Sequence, residues 1–538
     1  MVVEQESRIK KTLLNARVNL IFYFLQLILS FFSRKIFIDC LGADFLGLTG
    51  TLGNLLGFLN LAELGVGSAI GYLLYKPLFD HDHEKINEII SVMGYLYHRI
   101  GFIILGSGII LSGFLPLIYP LDAANAPVTG ETGDPRINYG IIFIAFYAFL
   151  GSSLLGYFIN YRQNLLGADQ RNYVVTAYYK TMYIGKILVQ MVIAYWTRNL
   201  WLWIAIEFGF GIFYSFVLNW RIDNTYPWLK ANIKEGKQLF RKYPEVMKKT
   251  KQLFVHKIGT FFLRQALPFL IYAFSTLAMV TFYQNYTTIT DRVSGFFSNI
   301  IGGIGASVGN LIAEGNKSKI LSVFWELLSL RFFIAGLIVV PVFLLIDSFI
   351  CIWLGFEYLL SIITLYLILI PVFINVIRGT ADDFIFGYGL FWDTWAPIAE
   401  SIILVTISIV GGIFWGINGV LIGPIVSLIA IVLIWKPYLL FHWGIKSNFI
   451  NYWIQFLKNL LCICGAGIGA FYFMKLFDWN NVHNFLEWSL RAFPVFIFYV
   501  ILSYIIFLMF TSGMKLFNKR LKSMAKKSCQ RFNKKLLP

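Results

Sequence analysis

Ionisable side chains stand inside stretches of this sequence that are otherwise apolar and rich in glycine. The basic ones are Arg99, Lys180, Lys186, Arg264, Arg292, Arg331 and Arg378; the acidic ones are Glu63, Glu207, Asp291, Asp382 and Asp383, with Glu326 and Glu400 nearer the inner ends of their stretches. A charge at membrane depth costs on the order of 3 kcal/mol on insertion scales, so each such residue faces a partner or a water-filled cavity. Arg99, Arg264, Arg331 and Arg378 fall in the inner third of their predicted spans, where a cavity open to the cytoplasm would meet a phosphate, and a guanidinium can grip that group with two parallel hydrogen bonds. Lys180 and Lys186, six apart in YYKTMYIGKIL, point roughly 120° apart around a helix and do not share one stripe. Together, Arg99, Lys180, Lys186, Arg264, Arg331 and Arg378 are the candidate binding residues for an anionic substrate. The plainer reading of each is snorkelling to the inner interface or an ion pair, as between Arg378 and Asp382, four apart on one helix face. Asp291 and Arg292 are adjacent and point in different directions, so a mutual salt bridge does not explain either.

Other chemistry is absent from the pattern. Cys40, Cys351, Cys462, Cys464 and Cys529 are scattered, and the pair Cys462 and Cys464 lacks both the spacing and the histidine partners of a metal site. They read as packing residues. The six histidines form neither a zinc-binding helix motif nor part of a nucleophilic triad. No catalytic residue, metal site or bound cofactor is expected, apart from a coupling proton or sodium ion considered below.

The elements that must position these charges follow from composition. The chain has 538 residues, 58% hydrophobic against 14% charged, with a mean hydropathy of +0.69, which no soluble core requires. The sequence is that of an all-α polytopic membrane protein. With about 20 apolar residues per span, about fourteen transmembrane helices are expected, centred near residues 25, 60, 104, 152, 184, 209, 268, 298, 336, 373, 405, 428, 466 and 500. Basic residues ahead of the first apolar run, without a small-residue cleavage site, indicate a retained first span. An even number of spans puts both termini in the cytoplasm. Lys and Arg agree with this, since most of the 45 fall in alternate connections, ten between Arg221 and Lys257 and nine between Lys515 and Lys535. The net charge of +17 is therefore a matter of topology and of attraction to anionic membrane lipids, and no nucleic-acid partner is expected. The longest outer loop, LDAANAPVTGETGDPRINY, is too short for a folded domain, which argues against a polysaccharide polymerase or acyltransferase.

Sliding the chain against itself by 238 residues lays GFLNLAELGVGSAIGYLL (57–74) on GFFSNIIGGIGASVGNLI (295–312), with Gly57/Gly295, Phe58/Phe296, Gly65/Gly303, Gly67/Gly305, Gly71/Gly309 and Leu73/Leu311 identical. After a slip of four, EKI (84–86) meets SKI (318–320). The shift corresponds to six spans, so both copies keep the same orientation, the parallel-repeat plan of many secondary transporters. The expected organisation is an N-lobe of six spans (1–220), a basic amphipathic cytoplasmic linker (221–257) and a C-lobe of six spans (258–450) around a central cavity. Two further spans (451–511) and a basic cytoplasmic tail (512–538) follow.

The stretch LAELGVGSAIGYLLYKPLFDHDHEKI (61–86) with YLYHRIG (95–101), together with the fourteen-span layout along nearly the whole chain, resembles the polysaccharide flippases of the multidrug/oligosaccharidyl-lipid/polysaccharide exporter superfamily. That resemblance implies two six-helix lobes that give alternating access to a cavity. It implies a cargo of oligosaccharide on a polyprenyl diphosphate, moved from the inner to the outer leaflet of a bacterial cell membrane for capsule, O-antigen or exopolysaccharide assembly, beside a polysaccharide polymerase and other assembly proteins. If an ion gradient drives the cycle, Glu63, Asp291, Asp382 and Asp383 are the candidates for proton or sodium coupling or for gating. The alternative within the superfamily is a cation-coupled drug or organic-cation antiporter, whose cavity should favour acids and aromatics over cations. In the second repeat copy Ile301 takes the place of Glu63, so the carboxylate belongs to one lobe only.

Overall fold

A computed structural model describes residues 8–63, 66–121, 134–169, 171–243, 266–301, 308, 311–312, 314–390, 392–479, 482–520 and 522–523. Arg264, linker residues 244–257 and most of the basic tail lie outside them. The regular elements among the described residues are helices: α1 (Arg8–Leu41), α2 (Ala43–Leu59), α3 (Val66–Phe79), α4 (His83–Ser112), α5 (Tyr139–Phe158), α6 (Asn172–Thr197), α7 (Leu200–Thr225), α8 (Ile233–Phe240), α9 (Leu277–Ile301), α10 (Lys317–Trp353), α11 (Ile362–Tyr388), α12 (Trp395–Ser427, continuing helically to Ile445), α13 (Ile450–Met474) and α14 (Phe485–Phe510). Nine stretches among the described residues are long and apolar enough to cross a membrane. The 51-residue stretch Trp395–Ile445 covers two expected centres, near 405 and 428, and the others coincide with one each. The expected spans near 60, 184 and 298 fall on α2–α3, α6 and α9: α2 and α3 are short helices of 17 and 14 residues with the Asn60–Glu63 turn between them, and α6 and α9 are less apolar along their length.

The chain divides into two compact units, Met1–Thr281 and Phe282–Pro538. In the first, α1 packs on α6, α5 on α4 and α7, and α6 on α7. The turn from α1 into α2 is made at Gly42, whose φ of +91° excludes ordinary side chains and where a Cβ would come 3.0 Å from Asp134 Oδ2. Arg136 closes that corner, donating to the carbonyls of Cys40 and Leu41 at 3.1 and 2.8 Å while paired with Asp134 at 2.6 Å. Cations at a helix C-terminus satisfy its orphan carbonyls. The hydrogen bond and charge of Asp134 hold the Arg136 guanidinium above its usual range.

The linker after α7 is stitched to the start of α4. Trp228 stacks on His83 at 3.9 Å, the Asn87 side chain bonds Lys230 N and Trp228 O, and Ser91 Oγ accepts from Asn232 N. Gly236 lets α8 lie directly on the Ser91 carbonyl, and Lys242 and Tyr243 both reach Glu88, at 2.7 and 2.5 Å. Burial, with the Glu88 hydrogen bond behind it, pushes the Tyr243 phenol well above its usual range.

In the second unit α10 packs on α11, α13 and α14, and α11 on α12. Phe324, Phe332, Phe384, Phe441 and Phe507 form the fully buried centre of this unit. Inside α12 the backbone breaks at Trp415 (φ −131°) and Gly416 (φ 54°, ψ −136°). The break folds the apolar run into a hairpin of two legs. Gly411 and Gly419 meet backbone to backbone, and Ser408 Oγ donates to Val420 O at 2.7 Å, the close approach that small residues permit between membrane helices. At the open end of the hairpin, Trp392, Trp395, Trp435, Tyr438 and Trp443 form a cluster with Trp392–Trp443 centroids 5.1 Å apart and Trp395–Trp435 4.8 Å apart. Amphipathic rings of this kind belong at a membrane–water interface.

The repeat reappears as matching turns. His81 (φ 54°) and Gly315 (φ 73°) are both left-handed. The next residues, Asp82 and Asn316, cap α4 and α10 by accepting from Lys85 N at 3.0 Å and Lys319 N at 3.1 Å. These positions keep the four-residue slip seen between EKI and SKI.

Candidate functional site

The predicted charges sort into three groups, two in the first unit and one in the second. The first lies where α2 breaks. After Leu59 the chain makes a tight turn over Asn60–Glu63 before α3 begins at Val66. Glu63 projects from that turn between α4 and α5. Tyr97 donates to its Oε1 at 2.7 Å and Tyr157 to its Oε2 at 2.9 Å. Asn60 Oδ1 lies 3.0 Å from the Tyr157 hydroxyl and accepts from Ser153 at 3.1 Å. Gly67 leaves room for this cluster, since a Cβ there would come 2.9 Å from the Tyr97 hydroxyl. The carboxylate is thus held by neutral phenolic donors. Below it a second polar chain runs from Asn160 through Ser215 and Asn219 to Arg162 and Asp223, the last pair at 2.6 Å.

The second group joins α6 and α7. Lys186 Nζ lies 2.6 Å from Glu207 Oε1 and 4.9 Å from the Tyr183 ring centre. Gln190 donates to Glu207 Oε2 at 3.0 Å and to the Trp203 carbonyl at 3.2 Å. Lys180, half-buried, stands a turn and a half earlier on α6.

The third group gathers at one end of the second unit. Arg331 on α10 meets Asp383 on α11 at 2.7 Å, its guanidinium lying across Gly379, where a Cβ would collide with it. Arg378 donates from Nε to Asp382 at 3.0 Å and from Nη1 to Asn375 at 3.3 Å. Lys436, on the returning leg of the α12 hairpin, reaches Asp382 at 2.7 Å, and Glu400, on the outgoing leg, lies 3.7 Å from Arg378. Three cations and three carboxylates therefore interlock α10, α11 and both legs of α12.

Of the residues singled out in the sequence, Arg331, Arg378, Asp382 and Asp383 are brought together. Lys186 and Glu63 sit in separate clusters of the first unit. Arg99 is exposed on α4 with its guanidinium 5.2 Å from the Tyr95 ring centre, and Asp291 is exposed on α9. Arg264 lies outside the described residues. Lys436, Tyr97 and Tyr157 were not singled out. Lys436 reads in sequence as an inner flanking charge, and the signal for it is the adjacent pair Asp382 and Asp383, which calls for more than one cation. Nothing marks the two tyrosines among so many aromatics.

No known family model and no curated protein matches the sequence. Solved structures do. The chain is similar to a multidrug resistance MATE family transporter of the MOP superfamily in its inward-facing conformation, with a TM-score of 0.56, 14% identity and coverage of 79% of this chain and 97% of that one. It is also similar to the lipid II flippase MurJ in an inward closed conformation, with a TM-score of 0.56, 16% identity and coverage of 90% of this chain and 98% of that one. At these identities the likeness is one of fold. The chain shares the multi-pass, all-helical fold of these two proteins.

Proposed function

We propose that this protein is a flippase that carries oligosaccharide on a polyprenyl diphosphate from the inner to the outer leaflet of the bacterial cell membrane, by alternating access, for surface polysaccharide assembly. The observation that carries this reading is the convergence of Arg331, Arg378 and Lys436 on Asp382 and Asp383. A diphosphate offers the same paired oxygens as the carboxylates that now hold these cations, so it can take them over by exchange instead of by exposing bare charge in a low-dielectric slab. The carrier's polyprenyl tail can stay in lipid while the headgroup moves. The fold of the lipid II flippase matches 90% of this chain and that of the MATE transporter 79%, which supports the flippase reading. Glu207, Asp382 and Asp383 each hold a cation of the chain itself, so these three acids are not open to an organic cation. Polymerase and assembly proteins are the expected partners, and a proton or sodium gradient the expected drive.

The test is reconstitution in vesicles with fluorescent polyprenyl-diphosphate sugars and a leaflet-resolved readout. Lys186→Gln and Arg378→Gln should each lower translocation about tenfold, the loss of one charge-assisted contact of ~1.5 kcal/mol, with insertion unchanged. Undiminished transport by both variants, or transport of organic cations without any lipid-linked sugar, would overturn the reading.

A further inference from the structure

Glu400 is the odd member of the ion cluster. It lies in the second turn of α12 with 3% of its surface exposed, and its buried Oε1 accepts no hydrogen bond among the described residues. The nearest cation, Arg378 Nη1, is 3.7 Å away, beyond hydrogen-bonding distance. Arg378 has instead given its Nε to Asp382, and Lys436 has turned to the same carboxylate. Two cations thus serve Asp382 while the acid beside it has none within hydrogen-bonding distance of its Oε1. A buried carboxylate left so is costly as an anion and tolerable as a neutral acid.

We infer that Glu400 is a proton-binding site and that its ionisation decides which acid holds Arg378. The charged groups acting on it are few: Arg378 and Asp382 from α11, and Lys436 from the returning leg, while Asn375 accepts from Arg378, and Arg331 and Asp383 are engaged with each other. When Oε1 takes a proton from bulk water, Arg378 and Lys436 both stay on Asp382, the arrangement seen here. When that O–H bond breaks and the proton returns to water, Glu400 draws Arg378 across the 3.7 Å gap and Asp382 keeps Lys436 alone. The switch therefore lies between the end of α11 and the start of α12. It also leaves the four-residue cluster with one net positive charge when protonated and none when ionised.

The experiment is infrared difference spectroscopy of the full chain in lipid vesicles between mildly acidic and mildly alkaline buffer, in the region of carboxylic acids that lack hydrogen bonds. It needs no substrate, so its outcome stands apart from the flippase reading. The wild type should gain a band on acidification that is lost in Glu400→Gln and kept in Glu63→Gln. A band of unchanged size in Glu400→Gln, or none in the wild type, overturns the inference. Should Glu400→Gln fail to fold, Lys436→Met removes one cation from Asp382 and ties Arg378 more firmly to it, so the band should titrate at higher pH; an unmoved titration overturns the inference equally.

Discussion

His81 and Gly315 occupy the same place in the two repeats, yet only one of them is suited to it. A left-handed conformation costs a residue with a Cβ about 1 kcal/mol relative to glycine. His81→Gly should therefore raise the thermal midpoint of the purified protein, and Gly315→Ala, which meets no neighbouring atom, should lower it by about the same free energy. Equal midpoints for all three proteins would show that the turns do not bear the strain their φ angles imply. Glu63 makes a different residue-scale case. Glu63→Ile copies the other repeat but removes the carboxylate that accepts from Tyr97 and Tyr157, leaving Tyr157 to Asn60 Oδ1, at about 1 kcal/mol for each bond lost. Glu63→Gln keeps an acceptor and should cost less, and thermal unfolding of the two variants side by side checks the order. The sequence made Glu63 conspicuous as a carboxylate among glycines. It could not show the tyrosines, because which of many aromatics turns a hydroxyl inward depends on helix rotation.

At the scale of elements, two close approaches hold the architecture. Gly419→Val would force the legs of the α12 hairpin apart at Gly411, a strain of about 3 kcal/mol or more, and should collapse the folded fraction seen by size-exclusion chromatography. Gly236→Val would lift α8 from the Ser91 carbonyl of α4 without altering a residue of any span, so limited proteolysis of the linker should quicken while the rest of the chain stays protected. The amphipathic character of the linker was legible in the alternation of Ile233, Leu239 and Phe240 with lysines. Its attachment to α4 was not, since that rests on Asn87, Ser91 and Glu88, each of which alone looks like an ordinary polar residue at a helix end. The four-residue slip between repeats was legible, and it falls at a pair of capped turns, where an insertion is easiest to absorb.

On the scale of the whole molecule, hydropathy found nine apolar stretches among the described residues. Helices that carry interior ion pairs, such as α11 with Arg378, Asp382 and Asp383, still stand out as apolar stretches, so hydropathy alone does not mark where the interior charges lie. The ion pair of Arg378 with Asp382, four apart on one helix, was legible in the sequence, whereas the pairs between helices were not, for a simple reason. Lys436 and Asp382 are 54 residues apart, and only the reversal of the chain between them brings them together. The excess of positive charge on alternate connections predicts that the protein is more stable in vesicles containing anionic lipid than in neutral ones, with the difference erased by high salt. A thermal midpoint indifferent to lipid charge would contradict this.

The contact of Trp392 with Trp443 carries one last consequence. The residues before the first leg of the hairpin and those after the second share one face, so the 51 apolar residues between them do not change the address of anything downstream. A bookkeeper of spans who took that run as a single crossing would assign α13, α14 and the basic tail to the wrong compartment. Cysteines placed at Thr394 and Asn448, in a background freed of native ones, should accordingly answer to the same impermeant reagent from the same side.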